Sequence, residues 1–133
     1  MKITYLSIFI GILFTSCFGL WDSDLDPIVD DYQIGWIDLE ETRTISKREE
    51  LIPAFIFAVG HNNKFIYAQQ HPVYSDSSTK INQTITHYYI IERTKNSFQD
   101  KPIYGPLTKS QFDSLSAELR ISPDFNLTYS KNF

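Results

Sequence analysis

The chain lacks almost everything that would mark a chemical function at sight. It has one cysteine in 133 residues, Cys17, so no disulfide can form within the molecule and a core must hold the fold. Its five glycines are scattered, and none forms a G-x-G-x-x-G or P-loop cradle for phosphate. No G-x-S-x-G elbow occurs, and the serines crowd near Ser77 and between Ser110 and Ser116, away from any obvious base. Basic residues are outnumbered 12 to 16 by acidic ones, a formal charge of −4, which argues against nucleic acid and anionic headgroups as partners. Nor does any apolar run approach the roughly 20 residues that a membrane-spanning helix needs.

The longest such run, Ile3 to Phe14, follows Lys2 and precedes Thr15, Ser16 and Cys17, the layout of a cleaved secretory signal. Phe14-Thr15-Ser16-Cys17 resembles the lipobox of bacterial lipoproteins, with Phe14 standing where leucine is usual. That resemblance implies cleavage before Cys17, acylation of its thiol and attachment of the mature chain to a membrane. Two or three acyl chains such as palmitate, at roughly 0.8 kcal/mol per buried CH₂, hold a protein where one does so only marginally. The alternatives are an ordinary signal cut after Gly19 and a retained N-terminal helix.

Three segments are therefore expected: a signal peptide over 1–16, a lipidated cysteine and acidic tether over 17–31, and one folded domain over 32–133. The tether carries Asp22, Asp24, Asp26, Asp30 and Asp31 around Pro27, a composition that reads as a flexible spacer. Acidic residues soon after the cysteine also resemble the export signal with which some bacterial lipoproteins reach the cell surface. The outer membrane or cell surface is thus the expected address within the envelope, ahead of the inner membrane.

In the folded part, Tyr32, Ile34 and Trp36 alternate onto one face of a strand, and a shorter strand is expected near Thr42 to Lys47. Ala54 to Val59 and Lys64 to Gln70 read as a hairpin around Asn62-Asn63, with both loop residues at positive φ and His61 facing Lys64, Ala58 facing Tyr67 and Phe57 facing Ala68. Both faces of Phe55 to Val59 are apolar, so that strand is expected to be central and covered on each side. Residues 72–83 read as a loop, followed by a strand from Thr84 to Arg93 in which Tyr88 and Ile90 point one way and His87, Tyr89 and Ile91 the other. After a short strand at Pro102 to Tyr104, Thr108 and Gln111 form a capping box, and Phe112, Leu115 and Leu119 recur at helical spacing until Ser122-Pro123. Phe125, Leu127 and Tyr129 alternate in the tail, which either adds an edge strand or drapes over the surface. The fold class expected is α+β: a mostly antiparallel meander of five or six strands with one helix, late in the chain, packed on a sheet face.

Tyr88 to Ile91, then Ile103-Tyr104-Gly105-Pro106-Leu107-Thr108 and Phe112, together with Phe65 to Gln70, resemble a family of small bacterial lipoproteins known as domain-of-unknown-function family 3997. The resemblance covers roughly Tyr32 to Ile121. Its motifs are a buried strand, a turn and a helix cap, and it implies no catalytic residue.

Candidate chemistry is sparse. His61 and His71 fall at opposite ends of the hairpin, roughly 20 Å apart at about 3.3 Å per residue, too far to share a metal. His71 and His87 can approach, but two ligands without a neighbouring Asp or Cys make a poor zinc site, and solvent-facing or turn positions are expected for them. Asp22-Ser23-Asp24-Leu25-Asp26 opens like a calcium loop, yet Pro27 and Gln33 stand where an EF-hand needs Gly and Glu. No metal, cofactor or catalytic residue is therefore assigned. Trp21, Tyr74 and Tyr129 are the candidate partner contacts, since large flat side chains offer contact area at little entropic cost, whereas Trp36 is expected in the core.

These features favour a non-catalytic binding module, tethered in the cell envelope through lipid on Cys17, with an envelope protein or a glycan as partner. An inhibitor or immunity protein guarding an envelope enzyme or toxin is the alternative. A small hydrolase is the second, and it requires His71 or His87 beside a carboxylate such as Glu92 or Asp113.

Overall fold

The computed structural model describes residues 23–77, 79–96 and 101–129; the signal segment, Cys17 and Trp21 lie outside them. Among the described residues nine strands make two antiparallel sheets. The first holds β1 (Ser23–Val29), β2 (Tyr32–Ile37), β3 (Thr44–Ser46) and β4 (Glu50–Ile52) in that order, with a 3-10 turn at Glu40–Thr42. The second runs β8 (Ile103–Leu107), β7 (His87–Glu92), β6 (Phe65–Gln70), β5 (Ile56–His61), β9 (Leu127–Thr128), and is joined by helix α1 (Lys109–Glu118). The class is α+β and mostly β, as the alternation of apolar residues requires. It has more strands than the five or six expected, because β1, β4 and β9 are short or exposed edge pieces with little apolar signal of their own.

The sheets stack because each has an apolar face that must leave water. Ile34, Ile45 and Ile52 from the first sheet meet Ile56, Val59, Ile66 and Ile91 from the second, all essentially sealed from solvent. Each such side chain contributes about 1.5–3 kcal/mol by burial. The other face of the second sheet presents Tyr67, Tyr88 and Ile90 to Phe112 and Ile121, with Leu115 and Leu119 packed alongside, so α1 forms a third layer. That explains why β7 is apolar on both faces: Tyr89 and Ile91 point to the sheet layer, Tyr88 and Ile90 to the helix layer.

Helix α1 starts on the expected capping box. Gln111 N–H donates to Thr108 Oγ1 at 3.2 Å, and Thr108 N–H donates to Gln111 Oε1 at 2.9 Å. It stops earlier than Ser122-Pro123. Arg120 enters the left-handed region at φ 55°, its N–H donates to the Ala117 carbonyl, and Ile121 N–H donates to the Ser116 carbonyl at 2.8 Å, the paired bonds of a Schellman motif.

Two further expectations are corrected. The second half of the acidic segment is not a spacer: Ser23–Val29 pairs along β2 from Ser23 opposite Ile37 to Val29 opposite Tyr32, with Asp30 at φ 52° turning the hairpin. Backbone pairing needs no apolar side chains, and Pro27 is tolerated because β1 is an edge. The β5–β6 hairpin is set two residues away from the expected register, with His61 opposite Ile66, Gly60 opposite Tyr67 and Val59 opposite Ala68. Asn62 decides this. Its Oδ1 accepts from both Lys64 N–H and Phe65 N–H at 2.8 Å, which closes a longer loop than Asn62-Asn63 alone, and neither asparagine adopts a positive φ.

Hydrogen bonds between the sheets define the two ends of the sandwich. At one end Arg93, just past β7, donates to Asp30 Oδ2 at 3.2 and 2.9 Å and to the Asn62 carbonyl, so the β1–β2 turn and the β5–β6 loop meet there. At the other, Ile56 N–H donates to the Arg43 carbonyl at 3.0 Å, which sets the start of β5 beside the chain leaving the 3-10 turn. Tyr129 N–H donates to the Phe57 carbonyl at the same end, beyond the pairing of β9 with β5.

Candidate functional site

The residues proposed for a hydrolase are not assembled into one. His71 is buried rather than solvent-facing: its ring stacks on Phe57 at 4.2 Å, and Nδ1 lies 2.8 Å from the Ile85 carbonyl. His87 opens β7 opposite Gln70, and partial burial depresses its pKa below the ordinary value by penalising the charged ring. Glu92 ends the same strand, five residues on and therefore about 17 Å away, where it pairs with Lys101 at 3.5 Å. Asp113 is exposed on α1 in an ion pair with Lys109 one turn earlier. His61 closes β5 at the end opposite His71. Among the described residues no three His, Cys, Asp or Glu side chains gather around a point where a metal ion would sit.

Of the candidate partner contacts, Tyr74 stands out into solvent at the loop between β6 and β7. Tyr129 does not. It is half-buried against the sheet layer, with the Arg43 guanidinium 4.2 Å above its ring and its hydroxyl donating to Asp26 Oδ2 at 3.5 Å. Burial, reinforced by the nearby Asp26 charge and opposed by Arg43, pushes its pKa up to about 12. Trp36 is also displaced from expectation. It is half-buried near the end of β2 and joins neither core cluster.

Sequence reasoning passed over two groupings. The first is the polar end. Lys47 is 8% exposed, donates through Nζ to the Thr94 carbonyl at 3.1 Å and the Asn96 carbonyl at 2.9 Å, and lies 4.8 Å from the Tyr32 ring centroid. With the Arg93 hub it ties four chain connections together, and a hollow of about 380 Å³ is lined by Asn62 of the hub and by Asn63, Lys64, Phe65, Leu119 and Arg120. A lone lysine after a short strand carries no sequence signal of burial, since lysine is almost never found inside unless paired.

The second grouping is apolar. Leu25, Ile37 and Leu39 are more than half exposed, and a hollow of about 430 Å³ over the outer face of the first sheet is bordered by Leu25, Gly35, Ile37, Thr44, Ser46 and Glu50. Gly35 makes the floor, since a Cβ there would collide with the Leu25 side chain. The outward alternation of Leu25 opposite Gly35 was the available signal, but it required knowing that the acidic segment is a strand.

The family described as "Protein of unknown function (DUF3997)" matches residues 29–131, from the end of β1 through β9. The chain belongs to that family. The match covers β2 to β9 and the helix, and of β1 only Val29. No curated protein and no solved structure matches the chain. Among the described residues no helix is long and apolar enough to cross a membrane.

Proposed function

We propose that this chain is a lipoprotein of the bacterial cell envelope, at the outer membrane or cell surface, held by lipid on Cys17 and acting as a non-catalytic binding module. Its partner is an envelope protein or a glycan. The support for the address is the lipobox-like Phe14 to Cys17 after a short apolar run.

The observation that carries the binding role is the polar end. Loops from four parts of the chain are locked by Arg93 and Lys47 into one fixed array of donors and acceptors, and Asn62 of that array borders a hollow at which Asn63, Lys64 and Arg120 are exposed. Loops held by a rigid scaffold meet a partner without first losing entropy of their own, which is where recognition sites concentrate. A photo-crosslinking residue placed at Asn63 or Lys64 in cells, with Cys17 intact, is expected to yield a discrete adduct that disappears in Cys17→Ala. A domain that captures nothing from any position of this end, with Cys17 acylated, refutes the binding role.

A further inference from the structure

The seven large apolar side chains that stand out into solvent among the described residues are unevenly placed. Leu25, Ile37 and Leu39 lie where β1 begins and β2 ends; Val73, Tyr74 and Ile85 lie in the connection from β6 to β7; only Ile103 is elsewhere. The first two groups share an end. The β6–β7 connection leaves from Gln70 and returns at His87, which are opposite each other and opposite Ile56 at the start of β5. His71 fastens it there, donating through its N–H to the Phe55 carbonyl at 3.1 Å and meeting the Ile85 carbonyl through Nδ1. Ile56 is bonded to Arg43, one residue past the 3-10 turn that follows Leu39. Six of the seven therefore gather opposite the Arg93 hub.

The described residues begin at this same end. Ser23 pairs with Ile37, and six residue steps separate it from Cys17. Whatever path those residues take, they span at most about 20 Å, at 3.3–3.6 Å per residue. A lipid on Cys17 thus confines Ser23 and Ile37 to within that distance of the bilayer. Which side of the domain then meets the lipid follows from where apolar surface is exposed: the opposite end shows Asn63, Lys64 and Arg120 to solvent, whereas this end shows six of the seven exposed large apolar side chains, whose removal from water is favourable.

We propose that the apolar end rests on the bilayer that holds the Cys17 acyl chains, with Leu25, Ile37, Leu39, Val73, Tyr74 and Ile85 at its interface. This rests on the lipoprotein reading above. The surface it fits is a zwitterionic phospholipid one, because Asp24, Asp38, Glu40 and Glu41 neighbour Leu25, Ile37 and Leu39 along the chain and anionic headgroups would repel them. The consequence is orientation: the polar end is turned outward.

The test uses the full acylated chain in phosphatidylcholine vesicles. With Cys17 acylated, a single added cysteine is the only free thiol, so Ile37→Cys, Tyr74→Cys and Asn63→Cys can each carry one environment-sensitive fluorophore at an exposed position. Nitroxide-labelled lipid is expected to quench the probes at positions 37 and 74 several-fold more than the one at position 63, and adding Leu25→Asp with Ile37→Asp is expected to abolish the difference at position 74. Equal quenching at all three positions, or none at any with Cys17 shown by mass to be acylated, overturns this inference and leaves the anchor standing. An unmodified Cys17 overturns both.

Discussion

The second sheet is covered on one face by another sheet and on the other by a single helix, and the two layers are filled differently. The inter-sheet layer is dominated by isoleucine: Ile28, Ile34, Ile45, Ile52, Ile56, Ile66 and Ile91. The helix layer is dominated by rings, with Tyr88 stacked on Phe112 at 4.8 Å and Tyr67 set edge-on to Phe125 at 5.3 Å. Geometry accounts for this. Two sheets face each other at an even spacing of about 10 Å that branched aliphatic chains fill uniformly. A helix is only about 10–12 Å wide, so it covers two strands spaced about 4.8 Å apart and leaves the rest of the face open. Helix α1 packs on β7 and β8, and the chain beyond it brings Ile121 and Phe125 across β6 instead. Asp124 N–H donates to Tyr67 Oη at 3.0 Å, and its carbonyl passes so close to Gly60 that no Cβ would fit there.

If that contrast is correct, the helix layer depends on a few large side chains and the sheet layer on many small ones. The sharpest test is Phe112→Ala, expected to cost about 4 kcal/mol in urea unfolding, because its removal leaves a cavity that a lone helix cannot close. Ile45→Ala is expected to cost about 3 kcal/mol, since flanking isoleucines relax into part of the space. A larger loss from Ile45 than from Phe112 would break the comparison. Lys47→Met, which keeps the packed stem but takes the ammonium from the Thr94 and Asn96 carbonyls, is expected to cost about 2 kcal/mol. Thr108→Ala removes one half of the capping box and is expected to cost about 1 kcal/mol, with faster amide exchange confined to α1.

The smallest effect concerns pH at the rim of the sheet layer. The pKa of Tyr129 is raised when folded, so the unfolded chain loses this proton first as pH rises. Its contribution to stability is complete below about pH 10, the ordinary tyrosine value, and is lost progressively up to about pH 12. Tyr129→Phe is expected to flatten that part of the stability profile relative to the wild type, measured by unfolding at fixed urea.

Where a local pattern recorded the environment, it could be read. The capping box at Thr108 and Gln111 forms as its spacing demands, and the alternation within Tyr88 to Ile91 puts Tyr88 and Ile90 on one face of β7 and Tyr89 and Ile91 on the other, as expected. Edge structure was illegible for the opposite reason: β1 buries only Ile28 fully, so its aspartates read as a spacer although its backbone is paired. Lys47 and His71 failed in a third way. Their burial depends on carbonyls and rings delivered by distant segments, the turn at Thr94 to Asn96 for one and Phe57 with Ile85 for the other.

By itself, then, the order of residues determined where strands and helix form in the interior, because apolar period and cap chemistry act over a few residues. Only the tertiary structure decided that the meander divides into two stacked sheets, and that apolar side chains gather at one end and locked polar loops at the other. Those outcomes depend on which strand edges meet, and pairing and stacking bring together residues too far apart along the chain for any local pattern to record.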